Sequence, residues 1–185
     1  MIQSDIFDSA NMNIKKIANI ALLFAVKRLI EILGLFIIII GIALLISLIS
    51  YSPEDPNFIF PENTEIKNIL GFRGSYISDL FFQSIGLISY LIPITLIISG
   101  INISINKNFF LIIENIFHSM LYSILGSIFF NHFYKDTFSL YINGNGGFVG
   151  DYLNQTIFHD LIMLNENICF YVLLILIVGI FFLSI

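Results

Sequence analysis

Four long apolar segments constrain the fold of this chain more than any other feature. They cover residues 29–49, 80–101, 109–130 and 168–185, and each is close to the roughly 20 residues that a helix needs to cross a bilayer. Long polar segments follow the first and third of them. A spanning backbone must satisfy its own hydrogen bonds, so the pattern predicts an all-α membrane protein with four transmembrane helices and two extracytoplasmic loops.

The composition agrees with this class and excludes several others. The chain is 57% hydrophobic and only 11% charged, whereas soluble domains carry about 25% charged residues. Its Lys and Arg residues total 8, too few to neutralise many phosphates, so we expect no direct contact with nucleic acid. The single cysteine, Cys169, excludes an internal disulfide.

The basic residues predict the orientation of the chain in the membrane. One group precedes the first span or lies between the second and third spans: Lys15, Lys16, Lys27, Arg28 and Lys107. The opposite side has fewer, spread over longer loops: Lys67, Arg73 and Lys135. Because loops rich in Lys and Arg stay in the cytoplasm, we expect both termini and the 102–108 turn to be cytoplasmic.

Two regions follow from the positions of the spans. Residues 1–28 are expected to form a cytoplasmic tail that begins as a polar run without periodicity and contains a basic amphipathic segment at 14–26. That segment is too short to cross a bilayer and is either a helix at the headgroups or an extension of the first span. Residues 29–185 form the four-span membrane domain. Because the last span reaches Ile185 without a basic stop, we expect the chain to be part of a longer protein.

The segment 50–93 contains residues that break helices and residues that favour helix packing. Pro53 and Pro56 prevent the first helix from continuing. Small residues then recur mostly three or four positions apart, at Gly71, Gly74, Ser75, Ser78, Gly86 and Ser89. Such a stripe, interrupted only by Phe82, is expected to pack against another helix in the bilayer. Pro93 removes a backbone hydrogen bond from the second span and predicts a kink there.

The loop 131–167 contains a glycine-rich turn and then a helical pattern. The turn lacks the Gly-Lys-Ser/Thr ending of a phosphate-binding loop. The apolar positions of the pattern are Phe148, Val149, Tyr152, Leu153, Ile157, Phe158, Leu161 and Ile162. The polar positions are Asp151, Asn154, Gln155, His159 and Asp160. We expect an amphipathic helix that either lies on the outer leaflet or dips between the spans.

Some ionisable residues lie at the ends of the spans, where structural roles are the ordinary interpretation. Glu31 follows Arg28 by three positions, a spacing that suits an ion pair at headgroup level. Asp79 stands at the beginning of the second span, where it is expected either to cap that helix or to contact Arg73. We therefore expect both acids to contribute to structure.

Other ionisable residues raise a chemical possibility that the sequence does not support further. Glu114 and His118 are four positions apart near the start of the third span, compatible with either a proton relay or an interfacial pair. His132 and His159 accompany aspartates in the second loop, but without the spacing of a metal site. We expect no metal, no cofactor and no catalytic residue in this chain.

The chain resembles the four-helix membrane domain of FtsK/SpoIIIE-type DNA translocases from about Lys27 to its end. Three motifs carry the resemblance: Tyr51, Pro53, Asp55 and Pro56; then Asn68, Gly71, Gly74 and Asp79, followed by Gly86 and Pro93; then Gly146, Gly147 and Gly150. The chain departs from the family pattern at Ser75 and Ser78, where alanines are expected. It also has residues 164–167 in place of a glycine-containing turn before the last span.

This resemblance implies a membrane anchor in the bacterial inner membrane, at the division septum, that serves cell division and chromosome segregation. It implies an ATP-driven motor downstream, a homo-oligomer (a hexamer in the family), and contacts with the lipid bilayer and other septal division proteins. The segment itself is then not an enzyme. The alternative is a small multi-span transporter or channel, which would need a charged or broken helix at mid-bilayer. Only Pro93 and Gln83 point in that direction.

Overall fold

A computed structural model describes residues 2–56, 65–134 and 143–185, with side chains from Lys15 onward. The α-helices are α1 (Ile2–Ile49), α2 (Gly71–Ile85), α3 (Leu91–Asn106), α4 (Phe110–Phe133), α5 (Gly147–Leu153), α6 (His159–Leu164) and α7 (Glu166–Leu183). A 3-10 segment, Gly86–Tyr90, joins α2 to α3, and a π-helical turn, Asn154–Phe158, joins α5 to α6. The described residues contain no strand.

The prediction of an all-α membrane domain with four spans is confirmed. Among the described residues, four helical segments are long and apolar enough to cross a membrane: Lys15–Ile49, Gly71–Asn106, Phe110–Phe133 and Glu166–Leu183. The third and fourth agree with the predicted spans to within three residues at each end. The second begins well before the predicted start at residue 80, because α2 starts at Gly71.

The first helix is longer than expected. α1 has 48 residues, which corresponds to about 72 Å at 1.5 Å per residue, against about 30 Å for the hydrocarbon core of a bilayer. Residues 2–13 thus continue the same helix, and residues 14–26 extend the first span, one of the two alternatives that the sequence left open for them. No glycine or proline precedes Gly34 in this helix, so nothing in the sequence interrupts it. The side chains from Lys15 to Leu29 are all exposed.

The helices pack as neighbouring pairs, α1 with α3 and α4 with α7, while α3 also contacts α4, and α2 contacts α1 and α5. The α1–α3 pair makes close contact at its glycines. A Cβ atom added to Gly100 would lie 2.7 Å from the carbonyl oxygen of Gly34, and one added to Gly41 would lie 3.1 Å from the nitrogen of Ile97. The two backbones therefore touch, as small residues permit in membrane helix pairs.

The second span is not one regular helix. It changes to 3-10 geometry at Gly86–Tyr90 and resumes as α3 at Leu91. Pro93 is fully buried in the first turn of α3 and has no N–H for the carbonyl of Ser89, four residues earlier. The interruption expected from Pro93 is thus present, one turn ahead of the proline.

Two apolar clusters form the interior. The larger is centred on α4 and α7 and contains Ile88, Tyr122, Ile128, Phe129, Ile162, Leu173 and Ile177. The smaller contains Leu44, Leu48 and Phe82. Phe82 is fully buried, and its ring centroid lies 4.8 Å from that of Tyr51 and 5.3 Å from that of Tyr90. The residue that interrupts the small-residue stripe is therefore a core residue.

The bundle has two chemically different ends. We call the end with Glu31, Lys107 and Ile185 the terminal end, and the end with residues 50–56, 65–70 and 143–165 the loop end. At the terminal end, Glu31 forms ion pairs with Arg28 at 2.5 Å and with Lys107 at 2.6 Å. The predicted Arg28–Glu31 pair is confirmed, and the second pair joins α1 to the end of α3.

The contact between Gly34 and Gly100 yields a stability prediction. Gly100→Leu should destabilise the domain by about 1–3 kcal/mol, because the larger side chain must enter space already filled by α1. The matched control is Gly179→Leu in α7, since no atom lies within 4 Å of a Cβ added there. Thermal unfolding of both variants in detergent measures the difference. Equal melting temperatures would show that the α1–α3 contact does not support the fold.

Candidate functional site

Most of the family-motif residues that the sequence singled out lie in two junctions at the loop end. The first junction joins the end of α1 to α2 and comprises residues 47–56 and 65–79. The second junction joins the Gly86–Tyr90 segment and α4 to α5, and comprises residues 83–87, 127–134 and 143–154. Gly86 belongs to the second junction and not, as its place in the motif suggests, to the first. Pro93 lies in neither junction.

Asp55 is the central acceptor of the first junction. Its side chain is 1% exposed, and its two carboxylate oxygens accept the backbone N–H groups of Lys67 at 2.8 Å and Asn68 at 2.9 Å. Hydrogen bonds to an ionised acceptor are stronger than neutral ones. Pro56, which is also buried, places its carbonyl where Ser75 donates to it at 3.0 Å. The acid and the proline thus bind the segment after α1 to the approach and first turns of α2.

Asn68 connects three chain segments with one amide. Its Nδ2 donates to the carbonyl of Ser47 at 2.9 Å and to Oγ of Ser78 at 3.5 Å, while its Oδ1 accepts the N–H of Leu70 at 3.1 Å. Ser47 in turn donates through its Oγ to the carbonyl of Gly74 at 2.6 Å. The end of α1 and the start of α2 are therefore joined by a reciprocal set of bonds between side chains and backbone.

The small-residue stripe is in large part confirmed as a packing face. Gly74, Ser75 and Ser78 are buried, and the contact between Ser47 and Gly74 shows that this face meets α1. Gly71 is different: no atom lies within 4 Å of a Cβ added to it, and its φ of +66° shows that it serves the turn into α2. Ser75 and Ser78, where alanines were expected, both use their hydroxyls in the junction.

The expected role of Asp79 is wrong. It neither caps the second helix nor pairs with Arg73, because α2 begins at Gly71 and leaves Asp79 in the helix interior. Asp79 is 5% exposed, and its Oδ1 accepts the hydroxyl of Tyr51 at 3.0 Å. Two residues of separate sequence motifs, Tyr51 and Asp79, are therefore partners across the junction.

An ion pair between Lys67 and Glu54 lies on the exposed side of the first junction. The Lys67 ammonium, through its hydrogen bond and its charge, lowers the pKa of Glu54 from its ordinary value, and Glu54 raises the pKa of Lys67 in the same way. Both groups are fully exposed, so the pair adds little to stability. The Lys67 ammonium therefore already has a charged partner in Glu54.

The second junction is a contact between backbones. Gly86 has φ 71° and ψ −146°, a region that is essentially restricted to glycine, and the N–H of Leu87 donates to the carbonyl of Asn145 at 2.9 Å. A Cβ added to Gly86 would lie 2.8 Å from the carbonyl carbon of Gly146, and one added to Gly147 would lie 2.6 Å from the nitrogen of Ile85. Any side chain at these positions would separate the two segments.

The remaining glycines of the third motif face α4. A Cβ added to Gly146 would lie 2.7 Å from the nitrogen of Asn131, and one added to Gly150 would lie 2.7 Å from the carbonyl carbon of Ser127. Ser127 donates its hydroxyl to the carbonyl of Ile85 at 3.0 Å. The three motif glycines Gly146, Gly147 and Gly150 therefore permit one compact meeting of α4, α5 and the Gly86 turn.

The predicted polar face of the helix after the glycines is partly wrong. Asn154, assigned to that face, is 9% exposed and donates through Nδ2 to Oδ1 of Asn131 at 3.0 Å. Conversely, Phe148 and Tyr152 of the predicted apolar face are exposed. The buried residues of α5 and the turn after it are Gly147, Gly150 and Asn154, of which Gly150 and Asn154 meet α4. Phe148 and Tyr152 point outward, an arrangement suited to lipid contact. Ile162, Leu153 and Phe158 of the predicted apolar positions do pack on the core.

The departure from the family pattern before the last span has a simple structural outcome. Asn165 precedes α7, and its Oδ1 accepts the N–H of Ile168 at 3.2 Å. Asparagine is a favoured residue at the N-terminal cap of a helix because it satisfies one of the free N–H groups. A capped helix start thus stands where a glycine-containing turn was expected.

The other ionisable candidates do not assemble into a reaction centre in the described residues. Glu114 is exposed, and no ion pair joins it to His118 there; Nδ1 of His118 is buried without a hydrogen-bond partner. His132 and His159 have ring centroids 6.2 Å apart, and Nε2 of His132 lies 3.9 Å from Glu166. No group of three or more potential metal ligands occurs among the described residues.

Sequence reasoning missed several residues of the junctions. Four residues without a role predicted from the sequence form hydrogen bonds between different elements: Ser47, Ser127, Asn131 and Asn145. Their position in the sequence could have identified them. Each is a polar residue in or beside an apolar span or the glycine-rich turn. A polar side chain there needs an internal partner.

The geometry defines an all-α, multi-pass membrane domain whose polar residues fasten its loops to its helices. Residues 26–185 match the family model described as the 4TM region of DNA translocase FtsK/SpoIIIE. The chain belongs to this family, and it is a membrane domain of the inner-membrane, multi-pass type.

Individual relatives agree with the family assignment. The chain is 39% identical over 64 residues to a DNA translocase FtsK of Rickettsia typhi and 41% identical over 64 residues to that of Rickettsia prowazekii, in each case 35% of this chain and 9% of the relative. It is 31% identical over 87 residues to a DNA translocase FtsK of Azospirillum brasilense, which is 46% of this chain and 14% of the relative. The matches thus span a small part of these relatives' length. The comparison with solved structures gave no match.

The hydrogen bonds of Asn68 make it the most sensitive side chain of the first junction. Asn68→Ala should destabilise the domain by about 1–3 kcal/mol, because the carbonyl of Ser47 and the N–H of Leu70 lose their partner in a buried site. Asn167→Ala is the control, since Asn167 is exposed. Thermal unfolding in detergent compares the two, and a junction variant as stable as its control would contradict the role assigned to Asn68.

Gly71 and Gly86 lie at the two ends of α2 and both have positive φ. Substituting each by alanine distinguishes the effect of backbone strain from the effect of a steric clash. Gly71→Ala introduces only the strain of a left-handed residue, about 1–2 kcal/mol, because the space around it is open. Gly86→Ala adds a clash with the backbone of Asn145 and Gly146. We expect the Gly86 variant to have the lower melting temperature in detergent. If both variants lose the same stability, the second junction is looser than the geometry indicates.

Proposed function

We propose that this chain is the membrane anchor of a bacterial DNA translocase and that it acts at the division septum in cell division and chromosome segregation. The observation that carries the proposal is the family match over residues 26–185, supported by relatives named DNA translocase FtsK. An ATP-driven motor outside this segment would move the DNA. The segment itself would neither hydrolyse ATP nor contact nucleic acid.

The charge distribution supports an orientation with both termini in the cytoplasm. The described cations of the terminal end and of the α1 extension are Lys15, Lys16, Lys27, Arg28 and Lys107, whereas those of the loop end are Lys67 and Arg73. Lys135 lies outside the described residues. The excess at the terminal end favours its placement in the cytoplasm. The loop end then faces away from the cytoplasm, and a motor continuing from the terminal end would share a compartment with DNA and ATP.

The apolar outer surface supports assembly within the membrane. Along the α1 extension, Ile17, Leu22, Leu23 and Phe24 are each at least 60% exposed, and α7 has few buried residues. We propose that these helices contact lipid and other copies of the chain in a homo-oligomer, with the hexamer of the family as its form. Other septal division proteins would meet the anchor at its loop end or along its exposed helices.

Both the location and the orientation can be tested with one fusion protein. A green fluorescent protein joined to the N-terminus is expected to fluoresce, because it would fold in the cytoplasm, and to form a band at midcell in dividing bacteria. The matched control carries Asn68→Ala, which weakens the first junction. It should give a weaker midcell band at an equal amount of protein in the membrane fraction.

Distinct outcomes oppose distinct parts of this proposal. Uniform membrane fluorescence without a midcell band would remove the septal role and leave the orientation intact. A membrane-inserted fusion without fluorescence would show that the N-terminus is on the far side of the membrane. In that case the terminal end could not lead to a cytoplasmic motor.

A further inference from the structure

An open groove runs between α1, α2 and α3. Its volume is about 480 Å³. Its walls below the loop end are apolar and are formed by Ile40, Ala43, Leu44, Ile77, Phe81 and Leu96. Its other lining residues, at the loop end, include Leu70, Arg73 and Gly74. The groove is therefore apolar along its length and has a single cationic side chain at its mouth.

The first junction joins α1 to α2 at the loop end of this groove. Ser47 and Gly74, which both line the groove, are joined by the 2.6 Å hydrogen bond between α1 and α2. Asn68 holds the same two helices together from the loop side. The small side chain of Ala43 leaves space between the helices in the apolar part of the groove.

The charge of Arg73 is available at the mouth of the groove. Arg73 is exposed and forms no ion pair within the described part of the chain. Three acids of the first junction have other partners: Asp55 binds backbone N–H groups, Asp79 binds Tyr51, and Glu54 binds Lys67. Glu65, also among the described residues, is exposed and forms no ion pair with Arg73. A guanidinium left in this position favours a ligand that brings its own negative charge.

The position of Arg73 above the apolar walls matches a phospholipid, in which a charged headgroup is joined to apolar acyl chains. Arg73 is in the first turn of α2, at the beginning of the candidate span Gly71–Asn106, and a basic residue at the end of a span is suited to the level of the headgroups. From Arg73 to Phe81 the groove follows α2 for about 12 Å at 1.5 Å per residue. One leaflet has an apolar depth of about 15 Å, half of the hydrocarbon core. An acyl chain held at its headgroup by Arg73 would thus lie along these walls.

We propose that the groove is a binding site for one anionic glycerophospholipid of the leaflet at the loop end. The guanidinium of Arg73 binds the lipid phosphate, a geometry for which arginine is suited because its planar fork matches two phosphate oxygens. One acyl chain lies between α1, α2 and α3. The site needs only the fold of this domain and does not depend on the translocase function.

Native mass spectrometry of the whole chain in detergent tests the site. Phosphatidylglycerol and phosphatidylcholine are added in equal amounts, and we expect one phosphatidylglycerol to be retained in preference. Arg73→Gln should lower its occupancy about fivefold, the effect of about 1 kcal/mol for a basic residue at the membrane surface. Lys67→Gln is the matched control, an exposed cation at the same end that is already paired with Glu54, and it should leave the occupancy unchanged.

A second variant tests the apolar part of the groove. Ala43→Leu fills the groove without changing any charge and should reduce the retention of both lipids. If this variant unfolds, the comparison of Arg73→Gln with Lys67→Gln decides alone, since both residues are exposed.

Other results would overturn the proposal. One is an Arg73→Gln variant that retains phosphatidylglycerol as the unchanged chain does. Another is an equal loss of phosphatidylglycerol occupancy in Arg73→Gln and Lys67→Gln, which would indicate general charge attraction. A shift in oligomeric state with Ala43→Leu at unchanged lipid retention would show that a second copy of the chain occupies the groove.

Discussion

The bilayer offers no water to a backbone group within its core, and this constraint accounts for both junctions at the loop end. Where the chain leaves α1 and enters α2, its backbone N–H groups need acceptors near the membrane boundary. Asp55 supplies them with both carboxylate oxygens, and Asn68 supplies a further donor and acceptor. The positions of α2 and of the groove beside α1 depend on these bonds.

The two junctions meet the same constraint in different ways. The first uses polar side chains, whose geometry allows α1 and α2 to stand apart far enough for a groove. The second uses glycines, so that the carbonyl of Asn145 reaches the N–H of Leu87 directly and α5 rests on Ser127 of α4. At Gly86 and Gly147 the backbones meet directly, and the side chains of Ser127 and Asn154 add hydrogen bonds around them.

The sequence predicted the class of fold well because length and hydropathy are what a bilayer selects. It failed where a tertiary contact overrides a local pattern. The start of the second span was placed too late, at residue 80, because hydropathy alone set it, although the small-residue stripe from Gly71 already indicated a helix there. Asn154 was assigned to an outward polar face, although the buried face of that helix is the one that meets Asn131. In a membrane protein, large apolar residues such as Phe148 are suited to lipid.

The burial of polar residues also explains why the motif residues are difficult to interpret from sequence. Asp55, Pro56 and Asp79 look like residues of a wet loop or a helix cap, yet each is at most 5% exposed. A buried acid without a partner would be strongly destabilising. Asp55 and Asp79 must therefore accept hydrogen bonds from the opposite segment, as Asp79 does from the hydroxyl of Tyr51. A motif of this kind therefore encodes pairs across a junction. The two partners lie far apart in the sequence, so neither one alone shows the role of the other, and the pair Tyr51–Asp79 becomes visible only in the folded domain.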